Sequence, residues 1–105
     1  HDQSSAASDV YKRQVYNFPN PFSDFTQFTF ELSKTSDIEI DIFSLGGKKI
    51  FSVEKVNAPR GFNIINWNGQ NSFGDFLANG VYIYHIRATT ENEKASSLGR
   101  IAKFK

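Results

Sequence analysis

Apolar and polar residues alternate with a period of two along most of the chain after Pro21. From Thr26 to Leu32, Phe28, Phe30 and Leu32 share one face while Gln27, Thr29 and Glu31 share the other. Asp37 to Phe43 repeats the pattern, with Ile38, Ile40 and Ile42 inward and Asp37, Glu39 and Asp41 outward. Such alternation, carried by β-branched and aromatic residues, predicts half-buried strands. Lys48–Val56 and Phe62–Trp67 predict two more. Val81–Ala88, apolar on both faces at its start, predicts a central strand, and Leu98–Phe104 a final one whose weaker alternation predicts a bulge. Turn signals separate them: Ser33–Ser36, Gly46-Gly47, Ala58-Pro59-Arg60-Gly61 and the Asn-, Gly- and Asp-rich run Asn68–Asp75. Thr89–Ser97 reads as a polar hairpin loop. Turns at roughly 8–12-residue spacing with no helical period predict an all-β chain, an immunoglobulin-like β-sandwich of about seven antiparallel strands.

The start of the chain breaks this pattern. Residues 1–14 (HDQSSAASDVYKRQ) are polar and rich in Ser and Ala, without strand or helix periodicity. They are assigned to a non-native or disordered tail, Ser4 to Gln14 having the look of adaptor read-through, and residues 15–105 to the domain. Pro19 and Pro21 then remove two backbone donors, so this segment can pair only at an edge or at the start of a strand. Phe18 and Phe22 are expected to anchor it.

Composition narrows the chemistry. With 105 residues there is room for one domain. Its core stock is unusual, with eleven Phe, four Tyr, one Trp and no Met. The net charge of +1 is spread without a dense basic patch, so no nucleic-acid partner is expected. Absence of Cys excludes disulfides, thiolate metal sites and cysteine nucleophiles. No apolar run approaches the roughly 20 residues of a membrane helix, so no span is expected, and any export signal is expected upstream.

The candidate chemical groups each have a plainer structural reading. Asp37, Glu39 and Asp41 line one side of a strand, but a straight carboxylate ladder cannot converge on calcium as 6–8 oxygens must. Pairing with Lys48 and Lys49 across the hairpin accounts for them. Asn68, Asn71 and Asp75 suit turn formation better than a cation cage. His85 shares a face with Val81, Ile83 and Arg87 but has no nucleophile elbow to serve. Trp67 shares a face with Ile65 and reads as core; the competing reading is an exposed platform for a sugar ring. Gly80 bends the chain to deliver Tyr82, whose hydroxyl needs a backbone partner. No catalytic, cofactor-binding or metal-binding residue is expected.

Taken in order, Asn17-Phe18-Pro19-Asn20-Pro21-Phe22, the strand pair from Ile38 to Gly47, Trp67-Asn68-Gly69, Gly74 and Asn79-Gly80-Val81-Tyr82-Ile83-Tyr84 resemble a known module. It is the immunoglobulin-like C-terminal domain first named from the flagellar hook-cap protein, which recurs at the ends of proteins handled by the type IX secretion system of Bacteroidetes. The resemblance extends over essentially everything after Gln14. It departs at Asn68, where Asp is usual, at Phe43-Ser44, where Tyr-Asp is common, and at His85, where Arg or Lys is.

The resemblance implies structural roles for Asn17, Pro19, Asn20, Pro21, Gly46, Trp67, Gly69, Gly74, Gly80 and Tyr82. It implies an exported, non-catalytic module at the cell surface or outer membrane, with no cofactor. Its implied partners are outer-membrane secretion or attachment machinery and the upstream domains of its parent chain. The Thr89–Ser97 loop and the strand before it are more similar to the tail of a gingipain-type sortase than to a cargo sorting signal. A carbohydrate-binding sandwich on a surface hydrolase is the remaining alternative. Arg100, Lys103 and Lys105, on a final strand at a sheet edge, are the expected partner-binding residues.

Overall fold

The computed structural model describes Val10, Tyr11 and residues 15–105. Seven strands follow one another: β1 (Tyr16–Phe18), β2 (Thr26–Leu32), β3 (Ser36–Ser44), β4 (Lys49–Ala58), β5 (Gly61–Trp67), β6 (Gly80–Thr89) and β7 (Lys94–Lys103). They form a three-stranded sheet, β1-β2-β5, and a four-stranded sheet, β4-β3-β6-β7. Every neighbouring pair is antiparallel. The architecture is the expected β-sandwich.

The alternation read from the sequence sorts correctly into layers. Phe28, Phe30 and Leu32 of β2 and Ile65 and Trp67 of β5 are buried against Ile38, Ile40 and Ile42 of β3 and Tyr84, Ile86 and Ala88 of β6. Phe28 meets Tyr84 edge-on across the gap, with ring centroids 5.0 Å apart. Burial raises the pKa of the Tyr84 phenol. Each large apolar side chain withdrawn from water contributes about 1.5–3 kcal/mol, so this interleaved layer is the main source of cohesion.

Three expectations are corrected. The last strand begins at Lys94, not Leu98, and the loop before it shrinks to residues 90–93. Ser96 and Ser97 are polar, but they sit opposite Arg87 and Ile86 in an unbroken ladder, and Ala95 is buried. Here pairing with a central strand overrides weak strand composition. That ladder also runs without a register shift, so the expected bulge is absent; the shifts lie instead between β3 and β4.

The second correction concerns the start. Val10 and Tyr11 are buried, Tyr11 bridges Leu32, and the Ser33 N–H donates to the Val10 carbonyl at 2.8 Å. A boundary at residue 15 therefore cuts off two core residues; residues 1–9 and 12–14 of the expected tail lie outside those described. Third, Phe22 is buried but Phe18 is 73% exposed. On β1, Asn17 turns inward, which leaves Tyr16 and Phe18 on the solvent face.

Candidate functional site

The sequence signatures converge on one end of the sandwich, around the last residues of β7. Asn17 opens the arrangement. Its Nδ2 donates to Thr26 Oγ1 at 3.0 Å and to the Gln27 carbonyl at 3.1 Å. The Thr26 hydroxyl donates in turn to the Pro19 carbonyl at 2.8 Å. The chain then crosses to the other sheet. The Phe22 N–H donates to the Ala102 carbonyl and the Phe104 N–H to the Phe22 carbonyl, both at 2.9 Å. Asn20 extends this contact with its side chain: Nδ2 donates to the Arg100 carbonyl at 2.8 Å, and Oδ1 accepts the Ala102 N–H at 3.0 Å. A carboxamide carries the same donor and acceptor as a peptide group, so Asn20 stands in for one residue of a neighbouring strand. Proline could make neither bond, which is why Asn alternates with it here.

The other signatures complete the clamp. Asn79 repeats the device on the final residue, accepting the Lys105 N–H at 3.0 Å and donating to its carbonyl at 3.1 Å. Tyr82 donates to the Ala78 carbonyl at 2.6 Å, the backbone partner its hydroxyl requires. Trp67 is 3% exposed, stacks on Phe51 and packs against Phe22, with centroids 5.8 and 5.5 Å away. Its Nε1 donates to the Gln70 carbonyl at 3.0 Å. The indole is core, and the sugar platform that exposure would offer is not there. Gly69 is required because a Cβ at that site would lie 2.9 Å from the Phe22 ring.

The remaining turn residues act on backbone groups as well. Asn68 Oδ1 accepts the Gln70 N–H, and Asn71 Oδ1 accepts the Phe73 and Asp75 N–H groups. In the Gly46-Gly47 turn it is Gly47, at φ +94°, that takes the left-handed conformation. Pro21, Gly74 and Gly80 punctuate the same end, Pro21 following Asn20 through a cis peptide.

The three basic residues expected to face a partner separate. Arg100 is exposed on β7. Lys105 is exposed and pairs with Asp24 at 3.2 Å. Lys103 is buried: its ammonium donates to the Leu77 carbonyl at 2.8 Å and lies 5.2 Å from the Phe76 ring centre. Lys103 is therefore turned inward, where it fastens the loop before β6. The β7 edge beside it is occupied by Asn20–Phe22, not free. Nothing in the sequence alone marks this, because the partners lie about 80 residues apart.

A polar cluster lies on the outer face of the four-stranded sheet. Asp41, buried there, accepts from Ser52 Oγ at 2.7 Å and Arg87 Nη2 at 2.8 Å, with Lys49 Nζ 3.8 Å away. Arg87 also holds Glu39 at 2.7 Å, and Asp37 accepts the Asn57 N–H. The acidic ladder is thus neutralised chiefly from β6, whereas pairing with Lys48 and Lys49 was the expectation. Ser52, Asp41 and His85 fall in one row of the sheet. A hydrolytic triad needs the imidazole between the other two. Here the carboxylate is central, and Arg87 takes its second oxygen. Burial and the Arg87 charge lower the His85 pKa, against the opposing pull of Asp41 and Glu39. A groove of about 430 Å³ runs beside this cluster, lined in part by Glu39, Glu54, His85, Arg87 and Ser96. Among the described residues no group of three His, Asp or Glu side chains is arranged to hold a metal ion, and no helix is long and apolar enough to cross a membrane.

Comparison with known proteins places this geometry. Residues 16–98 match the family model described as a secretion system C-terminal sorting domain. Among curated proteins, none matches the chain in sequence. Among solved structures, dimeric latent PorU of Porphyromonas gingivalis superposes with a TM-score of 0.71 at 20% identity, covering 85% of this chain and 9% of that one. PorZ of the same organism, a surface component of its type IX secretion system, gives 0.59 at 25% identity over 97% of this chain and 13% of that one. FlgD of Xanthomonas campestris, a protein of flagellar hook capping, gives 0.61 at 12% identity over 95% of this chain and 70% of that one. The chain thus spans only a small part of the length of PorU and PorZ.

Proposed function

Since the chain belongs to the secretion system C-terminal sorting domain family, we propose that it is a non-catalytic module read by type IX secretion machinery during export to the cell surface. The observation that carries this reading is the family match over residues 16–98, which spans β1 to β6, the first half of β7 and the Asn20, Phe22 and Asn79 signatures that reach the strand's end. The likeness to PorZ, a type IX surface component, supports the choice of system. The clamp supports recognition of a folded unit, because Ala102, Phe104 and Lys105 are held by Asn20, Phe22 and Asn79.

The likeness to PorU over 85% of this chain favours a second reading, in which the module is retained as the tail of a sortase-type surface peptidase. One experiment separates them. A fluorescent passenger carrying an export signal is fused ahead of residues 1–105 and expressed in a host with the type IX system. A sorting role requires display of the passenger on the cell surface. Periplasmic retention of the intact, folded fusion overturns it and favours the retained tail.

A further inference from the structure

The edge of β7 is covered over only part of its length. Even-numbered residues of this strand turn their backbone groups away from β6, as the bonds of Ala102 and Phe104 to Phe22 require. Asn20 reaches back as far as the Arg100 carbonyl and no further. Ser96, Leu98 and the Arg100 N–H have no backbone cover among the described residues. This stretch is fully ladder-paired to β6 on its other side, so it is rigid and presents an open row of donors and acceptors. Leu98, which faces outward in the middle of it, is 70% exposed. Lys94 and Arg100 bracket it, both exposed, and no carboxylate stands on the outward positions of β7.

We propose that Ser96–Arg100 is the docking edge for an extended acidic segment of the secretion machinery, which adds there as a fifth strand of the larger sheet. The inference rests on the sorting reading above and names the surface that reading leaves open. Main-chain bonds to Ser96 and Leu98 would hold the segment, as in strand addition generally, and its outward side chains would flank Leu98. Lys94 and Arg100 select acidic side chains and disfavour basic ones. They also argue against a second copy of this chain as the occupant, because antiparallel pairing of two such edges sets Lys94 of one against Arg100 of the other. The covered half of β7 shows that this edge accepts a neighbouring chain: Phe22 already pairs there in parallel with Lys103.

The test uses the passenger fused ahead of residues 1–105. Leu98→Pro removes an N–H that points to solvent and leaves the β6 ladder bonds of Ser97 and Gly99 intact. Loss of main-chain bonds on this scale corresponds to about a tenfold fall in affinity, so surface display should drop about tenfold. Leu98→Thr keeps the N–H and should be displayed normally. Lys94→Glu with Arg100→Glu leaves the backbone untouched and should reduce display by a similar factor. Thermal melting is recorded for each purified domain, and Ser96→Pro replaces Leu98→Pro if the latter does not fold. Normal display of the folded proline variant and of the charge-reversed variant overturns the proposal. A dimer in light scattering that Leu98→Pro abolishes would assign the edge to a second copy and overturn it too. Failure of the unaltered fusion to reach the surface overturns the sorting reading, and this inference with it.

Discussion

β7 has one backbone geometry and two different surroundings. Its second half is closed by Asn20, Phe22 and, one turn beyond, Asn79, so nearly every peptide group there has a protein partner. Its first half has the same ladder to β6 but, among the described residues, no neighbour on the far side. The residue types differ accordingly. The closed half carries inward Ile101 and Lys103, packed above the floor made by Trp67 and Phe22. The open half carries Ser96, Ser97 and Leu98, whose side chains contribute little to the core. The contrast teaches that the recurrent signatures of this chain specify backbone satisfaction. Phe18-Pro19-Asn20-Pro21-Phe22 is a strand substitute made from a segment that has lost two of its own donors.

Removing the floor of the closed half should cost the most. Trp67→Ala leaves a cavity between Phe22 and Phe51 and should lower stability by about 3–5 kcal/mol in denaturant unfolding. A near-neutral result would mean that the clamp does not rest on the core. At the junction of the two halves, Gly99 allows the Tyr84 ring to pass, since a Cβ there would lie 2.3 Å from it. Gly99→Ala should cost about 1–3 kcal/mol, with a change in near-ultraviolet circular dichroism as Tyr84 is displaced. An unchanged spectrum and stability would show that the ring has room.

Asn20→Ala deletes two hydrogen bonds to β7 while leaving its ladder to β6 in place. At about 1 kcal/mol for each bond, the loss should be about 1–2 kcal/mol, read from urea midpoints. Equal stability would make Asn20 a bystander. On the open half, Leu98→Pro should cost no more than about 1 kcal/mol, because it fixes φ at an edge position and removes a donor that has no partner among the described residues. Large destabilisation would reveal an interaction on that edge that the fold does not show.

The smallest effect belongs to His85, which faces Leu98 across the sheet. Its pKa in the folded protein is lowered from 6.5, chiefly by burial and then by Arg87. Below pH 6.5 the unfolded chain therefore takes the proton more readily than the folded one. The contribution is fully present above pH 6.5 and shrinks as the pH falls toward the folded value. Between pH 7.5 and pH 5.5 the melting temperature of His85→Gln should fall less than that of the parent protein. An equal fall in both would remove this group from the balance.

The layers of the fold were legible wherever side chains alternate cleanly. β2 falls where its Phe and Leu positions predict, β3 is longer than expected by one residue at each end, and β5 by one residue at its start. The first half of β7 was hidden because Lys94, Ser96 and Ser97 are poor strand formers, held in place by β6. Of the site, the turn chemistry of Asn68 and Asn71, the buried Trp67 and the Tyr82 hydroxyl bond were readable from local rules. The clamp itself was not. Asn20 bonding Arg100 and Ala102, Asn79 bonding Lys105, and Lys103 turned inward are meetings of distant segments, and no local period encodes them. The same holds for Val10 and Tyr11, whose polar neighbours mask two core side chains.

The difference between the two halves of β7 can be read amide by amide in native-state hydrogen exchange. Protection follows hydrogen bonding and burial of each N–H. The Ala102 and Phe104 amides should be protected, together with the odd-numbered amides that face β6, while Ser96, Leu98 and Arg100 exchange rapidly. Asn20→Ala should selectively speed exchange at Ala102. Protection of Leu98 equal to that of Ala102, or an Ala102 amide already fast in the unaltered protein, would contradict a strand clamped at one half and open at the other.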